Sequence, residues 1–474
     1  MSNDFSRSTC SVLHRTEATA ACIAALCCIG VLSTVAQTAK VPVTNSALAL
    51  LGKKLFEDTR LSSLAGDLQT SCASCHRVDD PQGDRAFTEA LARSWHPWRA
   101  EDPGRDTLRN TPTLFDVAQM PLLHHDGEFR SLEEQVRKTL AGRNMGWLPG
   151  EEAMALARVD TVLRSDTGPD SYESLITRAF GKVPRELDTA ALIDGATVAL
   201  VEFMRGLTTP RNSLYDEFVV LNDLPDAPAS GESARDYADR VLAVLADKEA
   251  GDGVQRPSEF SPAALQGYKV FLGDSVAGKS GNCVACHVPP LFTDFSFHNA
   301  GVTQETYDRL HGQGRFAELA LPEAGAPRPD PSALRIESVG DRKAIDLGYW
   351  NFAEAATSPF RRSGESGADF LKRMQGAFKT PSLRHLGSTD PYMHNGAYPT
   401  LDGAIRQKSR AGIAAREQRL WNADAEISVI DIDAESVAKL FAFLDTLNRK
   451  EGKPARKSTP EAAPEGPNGG YLVY

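Results

Sequence analysis

Cysteine is scarce outside one repeated motif. Of the eight cysteines in 474 residues, Cys10, Cys22, Cys27 and Cys28 crowd into the first thirty positions; only Cys72, Cys75, Cys283 and Cys286 follow. With those four committed as argued below, no pair is left for a disulfide, which excludes a small disulfide-stapled scaffold. Positive charge is also short. Against 63 Asp and Glu stand 52 Lys and Arg, for a net charge of -11 at pH 7. An acidic surface does not attract nucleic acid or an acidic membrane and better suits a basic protein partner. No sustained alternation of apolar and polar residues occurs, so the periodic segments read as helices and the fold as mainly α.

What is present begins with a leader. Arg7, His14 and Arg15 precede an apolar run from Ala18 to Val35, and Thr34-Val-Ala36-Gln37 supplies small residues for cleavage. That order reads as a signal peptide over residues 1–36, which places the mature chain in the periplasm without stable membrane insertion. The alternative is an uncleaved anchor in the inner membrane, since the run is nearly long enough to span a bilayer.

The four remaining cysteines form Cys72-Ala-Ser-Cys75-His76 and Cys283-Val-Ala-Cys286-His287. In CxxCH two thiols add to the vinyl groups of a haem and the histidine next to them supplies an axial imidazole, so each motif reads as a covalent c-type haem site. The competing reading, zinc, needs a fourth ligand at each place.

The motifs are embedded in a diverged repeat. Gly52-Lys-Lys-Leu55-Phe56 precedes the first and Gly267-Tyr-Lys-Val270-Phe271 the second, and Ser261-Pro262 opens the second helix with a cap residue and a proline. Two tandem cytochrome c-like domains follow from this, over residues 45–250 and 258–448. Ser131-Leu-Glu-Glu134 is a capping-box pattern opening a helix that carries Gln135, and Val437, Leu440, Phe441, Leu444 and Leu447 mark the apolar face of a late helix. Residues 306–366, rich in Gly, Pro, Ser and charge, read as a long irregular surface insertion in the second domain; residues 449–474 read as a disordered tail.

Around the motifs the chain resembles the bacterial di-haem cytochrome c peroxidase superfamily, which includes MauG. The resemblance spans residues 45–448 and rests on Gly52-Lys-Lys-Leu-Phe-Glu-Asp-Thr-Arg-Leu-Ser62, Arg109-Asn-Thr-Pro-Thr113, Asp126-Gly127, Ser131-Leu-Glu-Glu-Gln135, Phe378-Lys-Thr-Pro-Ser-Leu-Arg384 and Pro391-Tyr-Met-His-Asn-Gly396. It implies a peroxidatic haem on His76, an electron-entry haem on His287, and hydrogen peroxide as oxidant. It also implies a calcium ion between the domains, matched by Asn110, Thr389 and the carbonyl of Pro391; oxygen ligands suit such a hard cation.

Three departures qualify the resemblance. His125, after His124, stands where the peroxidases carry an inter-haem tryptophan. Gln135 matches a polar residue beside peroxide, but the catalytic glutamate position falls at Asn144, which can hydrogen-bond and cannot shuttle a proton. The distal ligand of the second haem, methionine or tyrosine in the family, falls at Lys408, either an iron ligand or a partner for a haem propionate; Tyr392, Met393 and Tyr398 are alternatives. His96 is a further loop candidate for capping the first iron. The stretch Leu140-Ala-Gly-Arg-Asn-Met-Gly-Trp-Leu148 is more similar to the methanobactin-operon relatives than to ordinary peroxidases.

Three functions follow as expectations. One is a peroxide-reducing oxidoreductase fed by a small cytochrome or cupredoxin. A second is a peroxide-dependent oxidase acting on tryptophan or tyrosine of a partner protein. The third is a di-haem electron carrier with both irons saturated.

Overall fold

Two glycines explain the repeat. In the computed structural model, Gly52 lies on helix α1 (Ala47–Glu57), where a Cβ would land on the carbonyl oxygen of Ala199 and within 2.8 Å of the Phe203 Cβ. A Cβ added at Gly267 would likewise land on the carbonyl oxygen of Lys439 and within 2.9 Å of the Phe443 Cβ. Each glycine lets a helix ahead of a CxxCH motif cross a later helix with backbone against backbone.

The structure describes residues 46–65, 69–76, 109–274, 279–328, 342–343 and 345–448. The leader expected over 1–36, His96 and the tail expected over 449–474 lie outside them. After α1 come α2 (Cys72–Cys75), α3 (Leu132–Leu140), α4 (Glu152–Ser165), α5 (Tyr172–Phe180) and α6 (Thr189–Arg205). Then follow α7 (Leu214–Leu221), α8 (Ala234–Ala250), α9 (Pro262–Leu272), β1 (Phe297–His298), α10 (Val302–His311) and α11 (Gly367–Met374). The chain closes with β2 (Phe378–Lys379), α12 (Leu401–Arg416), α13 (Ala425–Val429) and α14 (Ala434–Asp445). β1 and β2 pair antiparallel, Phe297 opposite Lys379 and His298 opposite Phe378, and form the one sheet among the described residues. The fold is mainly α, and no described helix is long and apolar enough to cross a membrane.

Local sequence accounts for the helix starts. Ser131 caps α3 through the Glu134 amide, and Ser261 caps α9 with Pro262 at its first position. The expected face Val437, Leu440, Phe441 and Leu444 of α14 is buried.

Buried side chains gather in two main clusters. The first joins Leu51, Leu55 and Phe56 to residues of α3, α4, α5 and α6; the second runs from Tyr215 to Leu447. Tyr215, Phe218, Tyr237, Val241 and Leu245 of α7 and α8, which the sequence limits grouped with the first motif, pack in the second cluster with Phe260 and Tyr268. Aromatic stacking draws them there: the Phe218 and Phe260 rings are 4.3 Å apart and parallel.

The segment 306–366 also departs from a surface insertion. Tyr349 and Trp350 are buried in a third cluster with Phe297, Phe370 and Met374; Arg328 covers the Trp350 ring at 4.2 Å, and the indole nitrogen donates to the Ala324 carbonyl. Its many glycines, prolines and charges mask a few large aromatics that suffice to bury part of it.

Candidate active site

The first motif opens on a cavity with about 1180 Å³ of open space, part of it continuous with solvent. Cys72, Cys75 and His76 line it together with His125, Gln135 and Asn144, so residues up to 72 positions apart meet as expected. Gln135 projects from α3, where its amide donates to Thr139 Oγ1 at 2.8 Å; Asn144 sits on a tight turn over Arg143–Met145 that Gly146 ends at φ 78°.

His125 is locked from behind. Its Nε2–H donates to the Asn110 carbonyl at 3.0 Å, and its own carbonyl accepts the Lys379 amide. Burial, followed by the nearby His394, Arg109 and Lys379, pushes its pKa down to about 3, so the ring is a neutral donor at all physiological pH.

Three residues of this site were not singled out as functional from sequence. Arg109 forks onto Asp346 at 2.7 and 2.9 Å and also bonds Asp126, tying the cavity to the third cluster. Lys379 lines the cavity, its ammonium donating to the Leu122 carbonyl at 3.1 Å, and burial pulls its pKa down to about 8. His124 also lines it. Arg109 and Lys379 stood inside the motifs quoted for the resemblance, but their partners lie far away in sequence.

The second motif is built differently. His287 donates from Nδ1 to the Phe292 carbonyl at 3.0 Å, which leaves Nε2 as the free lone pair an iron ligand needs. Burial lowers its pKa to about 4, so it is neutral. Burial also pulls Lys408 of α12 down to about 8, and its amine lies close enough to Cys286, Cys283 and His287 to be felt electrostatically. Tyr392 and Tyr398 are engaged elsewhere: the Tyr392 hydroxyl donates to the Leu386 carbonyl at 2.8 Å, and that of Tyr398 accepts from Arg410.

None of the four motif thiols is in a disulfide, and burial pushes Cys72 up to about 11 and both Cys75 and Cys283 up to about 12. With an oriented imidazole at the second motif and a large cavity at the first, the residues fit two haems.

A family model described as di-haem cytochrome c peroxidase matches residues 46–223, which hold α1 through α6, most of α7 and every residue named at the first cavity except Lys379. Over those residues the chain is similar to the di-haem cytochrome c peroxidases. Among its relatives is the cytochrome-c peroxidase IdrP2 of Denitromonas iodatirespirans, 27% identical over 407 residues, 85% of this chain and 82% of that protein. Another is the methylamine utilization protein MauG of Paracoccus denitrificans, 28% identical over 448 residues, 86% of this chain and 90% of that protein. The diheme peroxidase BthA of Burkholderia thailandensis shares the fold, with a TM-score of 0.50 at 19% identity over 86% of this chain and 90% of that one. The chain is an enzyme akin to these di-haem oxidoreductases, and its two CxxCH motifs fit two c-type haems.

Of the three residues matched to the superfamily's calcium site, Asn110 and Pro391 meet. The Asn110 amide nitrogen donates to the Pro391 carbonyl at 2.5 Å and to that of Met393 at 3.1 Å, while Thr389 uses its amide on Leu386. The Asn110 Oδ1 at this place is buried without a hydrogen-bond partner among the described residues.

Close to Cys286, the His298 ring is clamped between Asp424 at Nδ1 and Asp294 at Nε2, both at 2.8 Å. Burial alone would depress its pKa; the two carboxylates, and after them the Cys286 thiol, raise it to about 12. A raised histidine contributes stability fully below its unfolded value, about 6.5, and loses it progressively as pH rises toward 12. The melting temperature of the holoprotein is therefore expected to fall from pH 7 to 11 more steeply than that of a His298→Gln variant. Parallel pH profiles would contradict this.

Proposed function

We propose that this chain is a periplasmic di-haem oxidoreductase that uses hydrogen peroxide at the haem on His76 and exchanges electrons through the haem on His287. The observation that carries the reading is the asymmetry of the two sites. The first motif faces a roomy cavity lined by Gln135, Asn144 and His125; the second has the Lys408 amine against its cysteines.

A bound haem supplies iron with a position open to peroxide where no protein ligand closes it. The chain's own residues do the rest. Gln135, held by Thr139, and Asn144 present amide groups that orient peroxide by hydrogen bonds. His125, neutral and fixed by Asn110, fills the space toward the second site without adding charge. Lys408, with its proton affinity lowered by burial, is the candidate ligand for the second iron.

A second reading is supported by the kinship with MauG and by an amide at Asn144 in place of an acid group: oxidation of tryptophan or tyrosine on a partner protein, with peroxide as oxidant. The leader pattern supports export. The test is stopped-flow mixing of the purified holoprotein with peroxide, then with a reduced small cytochrome or cupredoxin. Rapid spectral change followed by multiple turnovers of the donor supports the peroxidase reading; rapid change without donor turnover favours the protein oxidase. No spectral response to peroxide contradicts both.

A further inference from the structure

His124 carries the feature that neither motif nor resemblance assigns. It sits in the turn between Leu123 and Phe129, closed by the Leu123 amide on the Phe129 carbonyl at 2.8 Å, immediately before the helix that bears Gln135. Its backbone is held at φ 63°, a conformation that costs a non-glycine residue energy and persists only where the surroundings impose it. The ring packs edge-on against Phe129 at 4.8 Å and lines the cavity with Gln135 and Asn144.

Its Nδ1 is 3.0 Å from Glu128 Oε2. A carboxylate accepts only, so Nδ1 carries a hydrogen toward Glu128 and Nε2 is the nitrogen left to exchange a proton. The pair is partly open, with side-chain exposures of 31% and 29%, so small molecules reach it. A histidine oriented by a carboxylate at the wall of a reaction cavity is the arrangement of a general acid and base.

We propose that His124, oriented by Glu128, is the proton-transfer group of the first haem cavity and performs the task that Asn144 cannot. The proposal rests on the peroxide reading above. With a haem held at His76, Nε2 would take a proton from one oxygen of hydrogen peroxide and return it to the other, which would leave as water as the O–O bond breaks; the bound haems would supply the two electrons required. His124 is thus catalytic and Glu128 a positioning residue.

The same side chains, with Asp126, bring ligand atoms within 4.8 Å of one another, as a divalent cation site would. Asp126, however, is fully buried and already bonded to Arg109, so its charge is met and a cation there would face the guanidinium.

The test separates proton transfer from access. Hydrogen cyanide must surrender a proton to bind ferric haem; nitric oxide carries none. In His124→Asn, chosen because asparagine tolerates positive φ, cyanide association is expected to slow about 100-fold while nitric oxide binds at the wild-type rate. Glu128→Gln should slow cyanide by a smaller factor, again sparing nitric oxide. Unchanged cyanide rates, or parallel slowing of both ligands, would overturn the role of His124. If wild-type holoprotein binds neither ligand, the peroxide reading itself fails and this inference with it.

Discussion

Gly267→Ala is expected to destabilise the holoprotein by about 3 kcal/mol or more, the upper range for forcing extra atoms into a packed interior. The sign is the informative part. In an ordinary helix the change from glycine to alanine is favourable by about 1 kcal/mol. Here the added methyl overlaps a backbone carbonyl of Lys439, which cannot rotate away as a flexible side chain would, and presses on Phe443. Relief requires α9 and α14 to separate, and their contact buries Tyr268, Phe271, Leu440 and Phe443. Gly52→Ala should behave alike against Ala199 and Phe203. Urea unfolding followed by the haem absorption checks both; a neutral or stabilising result would show that the helices do not cross so closely.

The second large effect is expected at Arg384. Its guanidinium forks onto Asp216 at 2.9 and 3.0 Å, donates to the Pro290 carbonyl at 2.8 and 3.0 Å, and is almost fully buried. It also lies over the rings of Tyr215 and Phe292. Despite its burial, Asp216 is held below the usual carboxylate range, mainly by Arg384. Arg384→Met leaves that carboxylate without its main partner and should cost about 3–5 kcal/mol, the usual penalty for breaking a buried pair.

The effect reaches the second haem site because Arg384 steadies the Pro290–Phe292 segment, whose Phe292 carbonyl orients His287. A broadened haem spectrum should accompany the loss of stability. Arg384→Met combined with Asp216→Leu should recover much of the stability, since no buried charge then stands alone. A double variant no better than the single one would assign the cost to lost packing instead.

How far the sequence reads depends on whether a residue's meaning is local. The two CxxCH motifs, the caps at Ser131 and Ser261 and the apolar face of α14 depend on neighbours a few positions away, and the structure carries them. The repeated glycine was visible as a pattern; its reason, a carbonyl arriving from 147 or 172 positions later (199 less 52, 439 less 267), was not. Gln135, Asn144 and His125 converge on one cavity because the resemblance supplied their relation, which composition does not.

The misses are long-range. Arg109 gains its role from Asp346, 237 positions away, and Lys379 from the Leu122 carbonyl, 257 positions away. The burial of Trp350 depends on a few aromatics inside a stretch that reads as surface. His124 was passed over because its chemistry arises from a turn: a positive φ and a carboxylate four residues on convert a histidine beside the inter-haem position into an oriented dyad.

The central claim is that the two haems are unequal, one open and one closed. Low-temperature electron paramagnetic resonance of the ferric holoprotein, before and after cyanide, tests it most directly. The account predicts one high-spin signal that disappears in a Cys72→Ala/Cys75→Ala variant and is converted by cyanide, beside a low-spin signal that cyanide leaves unchanged and Lys408→Ala alters. Two low-spin signals indifferent to cyanide would contradict it.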